Sequence, residues 1–136
     1  MERQGNRIIL CLGSNRDRER NIGRATELLR KRFAALRFSP SYYTDPVGCG
    51  LVEPFLNRVA IGYCGESAGE IRSILKKIEQ SLGRQANEKA IGIVRIDIDL
   101  LQWNGEVLKA DDLARDYVRL GLSLLLAAAE EEEGGE

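Results

Sequence analysis

Asp97 and Asp99, two places apart in the run Arg95-Ile96-Asp97-Ile98-Asp99-Leu100, are the residues whose type and spacing point most clearly to chemistry. Charged and apolar residues alternate strictly there, the pattern of a half-buried β-strand. Residues two apart on a strand share a face, so Arg95, Asp97 and Asp99 point one way and Ile96, Ile98 and Leu100 the other. Two carboxylates roughly 6–7 Å apart repel each other, and Asp is a poor strand former. A divalent cation bridging to phosphate would offset both penalties, since Mg²⁺ is often held by one or two carboxylates plus substrate phosphates. Arg95 on the same face could bind phosphate or partly neutralise the pair. The bland alternative is a strand face that is simply solvated.

Two further groups are suggestive. Phe55 and Asn57 alternate onto one face of a strand. An aromatic ring beside an amide can stack on a flat heterocycle and hydrogen-bond its edge, although a core Phe next to a turn-proximal Asn has the same appearance. Gly13-Ser14-Asn15 follows an apolar run and could turn backbone N–H groups toward an anion, or be a plain turn. It is not a P-loop, because the Gly-x-x-x-x-Gly-Lys-Ser/Thr pattern is missing. The chain has no His, which excludes Ser-His-Asp and Cys-His mechanisms and leaves carboxylates, basic side chains, backbone groups or metal.

The elements that must position these residues follow from periodicity and punctuation. Arg7–Leu12 reads as a buried first strand closed by the Gly13-Ser14-Asn15 turn. Asn21 is a candidate cap for a helix with Ile22, Ala25, Leu29 and Phe33 on its apolar face. Leu36–Thr44 reads as a second strand, Asp45–Pro54 as a loop, and Phe55–Cys64 as a third strand. Ser67-Ala68-Gly69-Glu70 fits a capping box before a helix with Ile71, Ile74, Leu75, Ile78 and Leu82 inward, and Gly83 is its C′ stop. Arg84–Ala90 is a charged loop. The aspartate strand then runs to Trp103, Asn104-Gly105 matches a type I′ hairpin turn, and Glu106–Leu108 returns as an edge strand. Asp111–Ala129 is expected to be helical, above all from Tyr117. Glu130–Glu136 is expected to be a disordered acidic tail beyond a single domain of residues 1–129. The order predicts an α+β fold: a ferredoxin-like βαββαβ core on an antiparallel sheet, an extra hairpin and a C-terminal helix.

The bulk numbers agree with one globular domain of 136 residues. A net charge of −1 argues against a nucleic-acid partner. No apolar run is long enough to span a membrane and the first residues carry no secretory signal, so a cytoplasmic location is expected. Cys11, Cys49 and Cys64 are odd in number and widely spaced, which fits reduced thiols, with Cys11 and Cys64 as small apolar filler.

These pieces, in this order, resemble the 6-hydroxymethyl-7,8-dihydropterin pyrophosphokinases of folate biosynthesis. The matching stretches are Leu12-Gly13-Ser14-Asn15, Tyr42-Tyr43-Thr44-Asp45-Pro46, Phe55-Leu56-Asn57, Ile78-Glu79 with Gly83-Arg84, Gly92, and Asp97-Ile98-Asp99-Leu100-Leu101. The resemblance spans roughly Ile8 to Leu113 and implies transfer of the β,γ-diphosphate of ATP to a reduced pterin. It implies that Asp97 and Asp99 hold two Mg²⁺ ions between the substrates. It assigns Asp45, Pro46, Val47, Phe55 and Asn57 to the pterin, and Glu79, Lys89, Ile98, Tyr117 and Arg119 to ATP. Arg84 and Arg95 become catalytic cations. Diphosphoryl transfer asks mainly for positioning and charge neutralisation, so a chain without His can perform it.

The sequence also departs from the family pattern. Gly92-Ile93-Val94-Arg95 stands where the family has Gly-Pro-Arg-Thr, so the arginine has moved by one place. Ala86 replaces a loop arginine, Ile91 an aromatic, and Asp116-Tyr117 a Pro-His pair. A catalytically degenerate pterin- or nucleotide-binding relative is therefore the rival expectation. A third is an unrelated ferredoxin-like domain whose sheet face makes a dimer. Partners other than ATP and pterin, nucleic acid and membrane included, are not expected, and a monomer is favoured.

Overall fold

β1 (Asn6–Ser14) runs through the middle of the sheet, as its apolar run requires, and is buried over most of its length. The computed structural model describes residues 5–45 and 54–134. Chain order continues with α1 (Arg18–Arg32), β2 (Ala35–Phe38), β3 (Tyr42–Thr44), β4 (Phe55–Cys64) and α2 (Ala68–Ser81). A 3₁₀ turn at Lys89–Ile91 leads to β5 (Asp97–Trp103), β6 (Glu106–Val107), α3 (Ala110–Leu113) and α4 (Asp116–Gly134). The strands pair in the order β2-β4-β1-β5-β6, with β3 also on β4, and every pairing is antiparallel. This is the expected α+β, ferredoxin-like arrangement with its hairpin and terminal helix.

The sheet separates two cores. On one face Ile8, Leu10 and Leu12 meet Ile22 and Leu29 of α1, Ile71 and Leu75 of α2, and Ile96, Ile98 and Leu100. On the other face Ile9, Cys11, Val59 and Ile61 meet Val118 and Leu125 of α4. Strand alternation alone decides which residue goes to which core. At Leu101 the β1–β5 register slips, so Ile9 faces Gln102 while Leu10 faces Leu100. Alternation alone buries the adjacent Leu100 and Leu101 on opposite faces, and the bulge returns Trp103 to the face of its partner Ile8.

β4 and α2 have the expected bounds. Ser67 Oγ accepts from Glu70 N, and the Glu70 carboxylate accepts from Ser67 N, so the capping box is closed. Gly83 takes φ +95°, a left-handed stop that favours glycine.

Several expectations are corrected. The second strand is broken at Ser39-Pro40-Ser41, because Pro40 has no N–H to give the ladder. Ser39 Oγ accepts from Val59 N at 3.0 Å and continues the pairing from a side chain. α1 starts at Arg18, after Asp17 in a left-handed conformation. Asn21 therefore lies inside the first turn, and its amide reaches back to the Arg16 carbonyl at 2.6 Å instead of capping. In the hairpin Asn104 has positive φ but Gly105 does not, so the turn is not type I′. The expected last helix is two: α3 ends at Leu113, and α4 runs from Asp116 to Gly134. Cys49 lies outside the described residues. No helix among the described residues is long and apolar enough to cross a membrane.

Candidate active site

β5 begins at Asp97, and its alternation turns Asp97 and Asp99 away from the α1/α2 core that takes Ile96, Ile98 and Leu100. On one side β5 pairs with β1. On the other, β6 reaches only Gln102 and Trp103, so among the described residues no strand covers the edge from Asp97 to Leu100. An open edge leaves N–H and C=O groups that need partners. Side chains supply them. Glu79 Oε2, buried on α2, accepts from Ile98 N at 2.6 Å, and Arg84 donates to the Ile96 carbonyl at 3.3 Å. Arg84 also bridges Glu79 at 2.8 Å and Asp97 at 2.7 Å. The edge thereby remains open to a ligand while the Ile98 N–H and the Ile96 carbonyl have partners.

Asp97 and Asp99 border two clefts. The first, of about 510 Å³, lies between α2 and the open β5 edge. Its charged lining sets Arg72, Lys76, Arg84 and Lys109 against Glu79, Asp97 and Asp99. The second, of about 390 Å³, lies on the α4 face and includes Gly13, Asp45, Phe55, Asn57 and Tyr117. Register builds it: Asn57, Gly13 and Asp97 form one row across β4, β1 and β5. Gly13 is the bare middle of that row, since a Cβ there would sit 3.3 Å from Asn57 Oδ1 and 3.7 Å from Phe55. Asn57 is buried, and its Nδ2 is fixed by Thr44 Oγ1 at 2.6 Å.

Electrostatics tie the acidic pair to its neighbours. Burial and then the charge of Asp97 push the Asp99 carboxyl above its ordinary range, while Lys109, 3.2 Å away, pulls it back. Asp99 in turn raises the Lys109 ammonium. Burial likewise pushes Glu79 up, opposed by the Ile98 N–H and Arg84. For Arg84, burial acts downward, but the bond to Asp97 and the charge of Glu79 outweigh it and the net shift is upward. On the α4 face, burial drives the Cys11 thiol up to about 12, so it remains a thiol at neutral pH beside Tyr117. The pair fits a hard divalent cation: two carboxylates give oxygen ligands and leave the remaining positions to phosphate and water.

The structure brings most of the sequence-selected residues together. Arg84, Glu79 and Ile98 line the α2-side cleft, and Asp45, Phe55 and Asn57 the α4-side cleft. Lys89 and Tyr117, assigned to ATP from sequence, line the α4-side cleft: Tyr117 because the start of α4 lies over the face opposite α2, and Lys89 from the turn before β5. Arg95 precedes β5, so alternation does not bring it to the aspartates. Its guanidinium is held by both oxygens of Glu88 at 2.9–3.1 Å, and it borders neither cleft. Arg119 is exposed and also borders neither. Pro46 and Val47 lie outside the described residues.

Sequence reasoning missed Lys109, Arg115, Leu100 and the Arg72/Lys76 pair. Arg72 and Lys76 stand four apart on α2, with Glu79 and Gln80 a turn further, so helical spacing could have found them. Lys109 has no such local signal, because the hairpin alone returns it to Asp99.

The model of the 7,8-dihydro-6-hydroxymethylpterin-pyrophosphokinase (HPPK) family matches residues 9–126. An Arabidopsis thaliana protein named Folate synthesis bifunctional protein is 30% identical over 115 residues, covering 83% of this chain and 24% of that protein. A second from the same plant, named Folate synthesis bifunctional protein, mitochondrial, is also 30% identical over 115 residues, 83% of this chain and 21% of its own length. A Clostridium botulinum phosphoribosylaminoimidazole-succinocarboxamide synthase is 33% identical over 84 residues, 61% of this chain and 36% of the synthase. The chain thus spans between about a fifth and just over a third of these relatives.

Proposed function

Because the chain belongs to the 7,8-dihydro-6-hydroxymethylpterin-pyrophosphokinase family, we propose that it transfers diphosphate from ATP to 6-hydroxymethyl-7,8-dihydropterin in folate biosynthesis, with Mg²⁺. The observation that carries this reading is the position of Asp97 and Asp99 on the border of two clefts of unlike chemistry. A cleft where four cationic side chains converge on the acidic pair suits a nucleotide's phosphates and the cation between them. A cleft with a bare backbone floor, a fixed amide and two aromatics suits a flat heterocycle.

In this reaction the pterin hydroxymethyl oxygen bonds to the β-phosphorus of ATP. The bond from that phosphorus to the oxygen bridging the α-phosphate breaks, AMP leaves, and the hydroxyl proton passes to solvent. Asn57 orients the pterin edge, Phe55 and Tyr117 flank its ring, and Gly13 lets it lie close to β1. Arg72, Lys76, Arg84 and Lys109 hold phosphate charge. Asp97 and Asp99 would hold Mg²⁺, two ions in the full reading, which when bound neutralise charge on the transferred group. Positioning and neutralisation account for this chemistry without a covalent nucleophile.

The test is AMP formation from ATP, Mg²⁺ and 6-hydroxymethyl-7,8-dihydropterin. A folded protein that forms no AMP refutes the catalytic reading. A second reading, a binding relative without transfer chemistry, is favoured by the engagement of Arg95 with Glu88. Calorimetry that detects pterin binding but no binding of a nonhydrolysable ATP analogue would select it.

A further inference from the structure

Asn15 is 4% exposed, and both polar atoms of its side chain are used. Its Oδ1 accepts from Val94 N at 2.7 Å, and its Nδ2 donates to the Gly92 carbonyl at 2.7 Å. Its backbone N–H donates to the Val94 carbonyl at 2.9 Å. The β1–β5 ladder ends at Gly13 and Asp97. Two residues beyond Gly13, Asn15 meets both the N–H and the C=O of Val94, as a partner strand would, with one of the two bonds made by a side chain.

The clamped segment closes the connection from α2 to β5, which passes both clefts. Arg84 and Ala86 line one cleft and Lys89 the other. Within the connection, the Glu88 carbonyl accepts from Ile91 N and Ile93 N, and the Glu88 carboxylate holds Arg95. Those bonds shape the connection but set no register against β1. Register matters here more than elsewhere: a slip of one residue would send Asp97 and Asp99 toward the α1/α2 core and Ile98 toward the clefts.

We propose that Asn15 is a positioning residue for the acidic pair: by clamping Gly92 and Val94 to the end of β1, it sets where β5 starts and so where Asp97 and Lys89 stand. The kinetic part of this inference rests on the diphosphoryl-transfer reading; the structural part does not.

Two variants test it. Asn15→Ala removes both side-chain bonds, and Asn15→Asp keeps an acceptor for the Val94 amide but loses the donor to Gly92. Hydrogen exchange is expected to quicken at residues 92–96 in Asn15→Ala and less in Asn15→Asp, with β4 unchanged. Mn²⁺, followed by its paramagnetic signal with a nonhydrolysable ATP analogue present, is expected to bind at least several-fold more weakly. kcat is expected to fall by about 10- to 100-fold, the scale of a 1 Å misplacement of a reacting group, with the pterin KM within about threefold. Asn15→Asp should recover part of the loss. Unchanged exchange at residues 92–96, or unchanged Mn²⁺ affinity, overturns the proposal. So does a joint fall of kcat, pterin affinity and β4 protection in both variants, which would mark a merely structural residue. If the parent protein transfers no diphosphate, the functional reading fails, and the exchange measurement at residues 92–96 still decides the role of Asn15.

Discussion

The two clefts beside Asp97 and Asp99 are built by opposite means. The α2-side cleft is walled by long charged side chains already engaged with one another: Arg84 with Glu79 and Asp97, and Lys109 with Asp99. The α4-side cleft is built on strand register, with Asn57 and Asp97 brought either side of Gly13 by backbone pairing. On the proposed reading, selection on the first side is by charge and is adjustable, since a phosphate or metal ion would take over the partners of Arg84 and Lys109. Selection on the second side is by shape, because the floor is main chain and the amide is buried and fixed.

The largest effect should come from the residues the clefts share. Asp97→Ala and Asp99→Ala are each expected to lower AMP formation by about 10³-fold or more, equivalent to several kcal/mol of transition-state charge stabilisation. Their melting temperatures should stay near that of the parent, because neither residue belongs to either core. A variant that keeps a tenth of the activity would break the shared-border picture.

Next come substitutions that should affect one cleft alone. Asn57→Ala is expected to weaken pterin binding by about 10- to 100-fold, a loss of roughly 1–3 kcal/mol, with affinity for the ATP analogue within twofold. Lys76→Ala should do the reverse, weakening the ATP analogue by a few fold in a salt-sensitive way and leaving pterin unchanged. Calorimetry with each ligand separately reads both. Equal losses for the two ligands in either variant would show that the clefts are not distinct.

Gly13→Ala probes the shape argument. Its φ is not positive, so alanine meets no backbone strain there. The added methyl enters the cleft 3.3 Å from Asn57 Oδ1. The expected outcome is a pterin Kd about tenfold higher, in line with roughly 1–2 kcal/mol for overfilling a packed site, and an unchanged melting temperature. Unchanged pterin affinity would remove Gly13 from the binding surface.

The smallest effect is electrostatic. The Asp99 carboxyl is raised in the folded protein, so just above the ordinary carboxylate range the folded state binds more protons than the unfolded one. Stability contributed by Asp99 is therefore lost as pH rises through that window. Glu88, lowered chiefly by its bond to Arg95, acts with the opposite sign: its contribution is present above the ordinary carboxylate range and lost as pH falls. The difference in melting temperature between Asp99→Asn and the metal-free parent isolates the first term and should grow as pH rises above about 4. A difference curve that is flat or of opposite slope would show that burial and Asp97 do not raise the Asp99 carboxyl.

Much of this was legible in the chain, for physical reasons. The bounds of β4 and the capping box of α2 are local patterns, and local patterns survive folding. The alternation Asp97-Ile98-Asp99-Leu100 states which residues are buried and which face the clefts, whatever the partner strands are. Arg95 shows where such reasoning stops. Alternation places it with the aspartates only if the strand already includes it, and the strand starts two residues later. What holds Arg95 is Glu88, seven residues upstream, and what sets the strand start is Asn15 from another element. Tyr117 was selected as functional, but the side of the sheet on which it lies depends on where α4 docks.

The sequence by itself determined the residue types of the site, the elements that bear them and the face each takes within its own element, because periods of 2.0 and 3.6 are properties of a single segment. Only the tertiary structure decided which faces meet. It put Asn57, Gly13 and Asp97 in one row, left the β5 edge open with Glu79 and Arg84 against it, and returned Lys109 to Asp99. Such neighbours are distant in sequence and leave no local period, and their pairing follows from register and packing across the whole sheet.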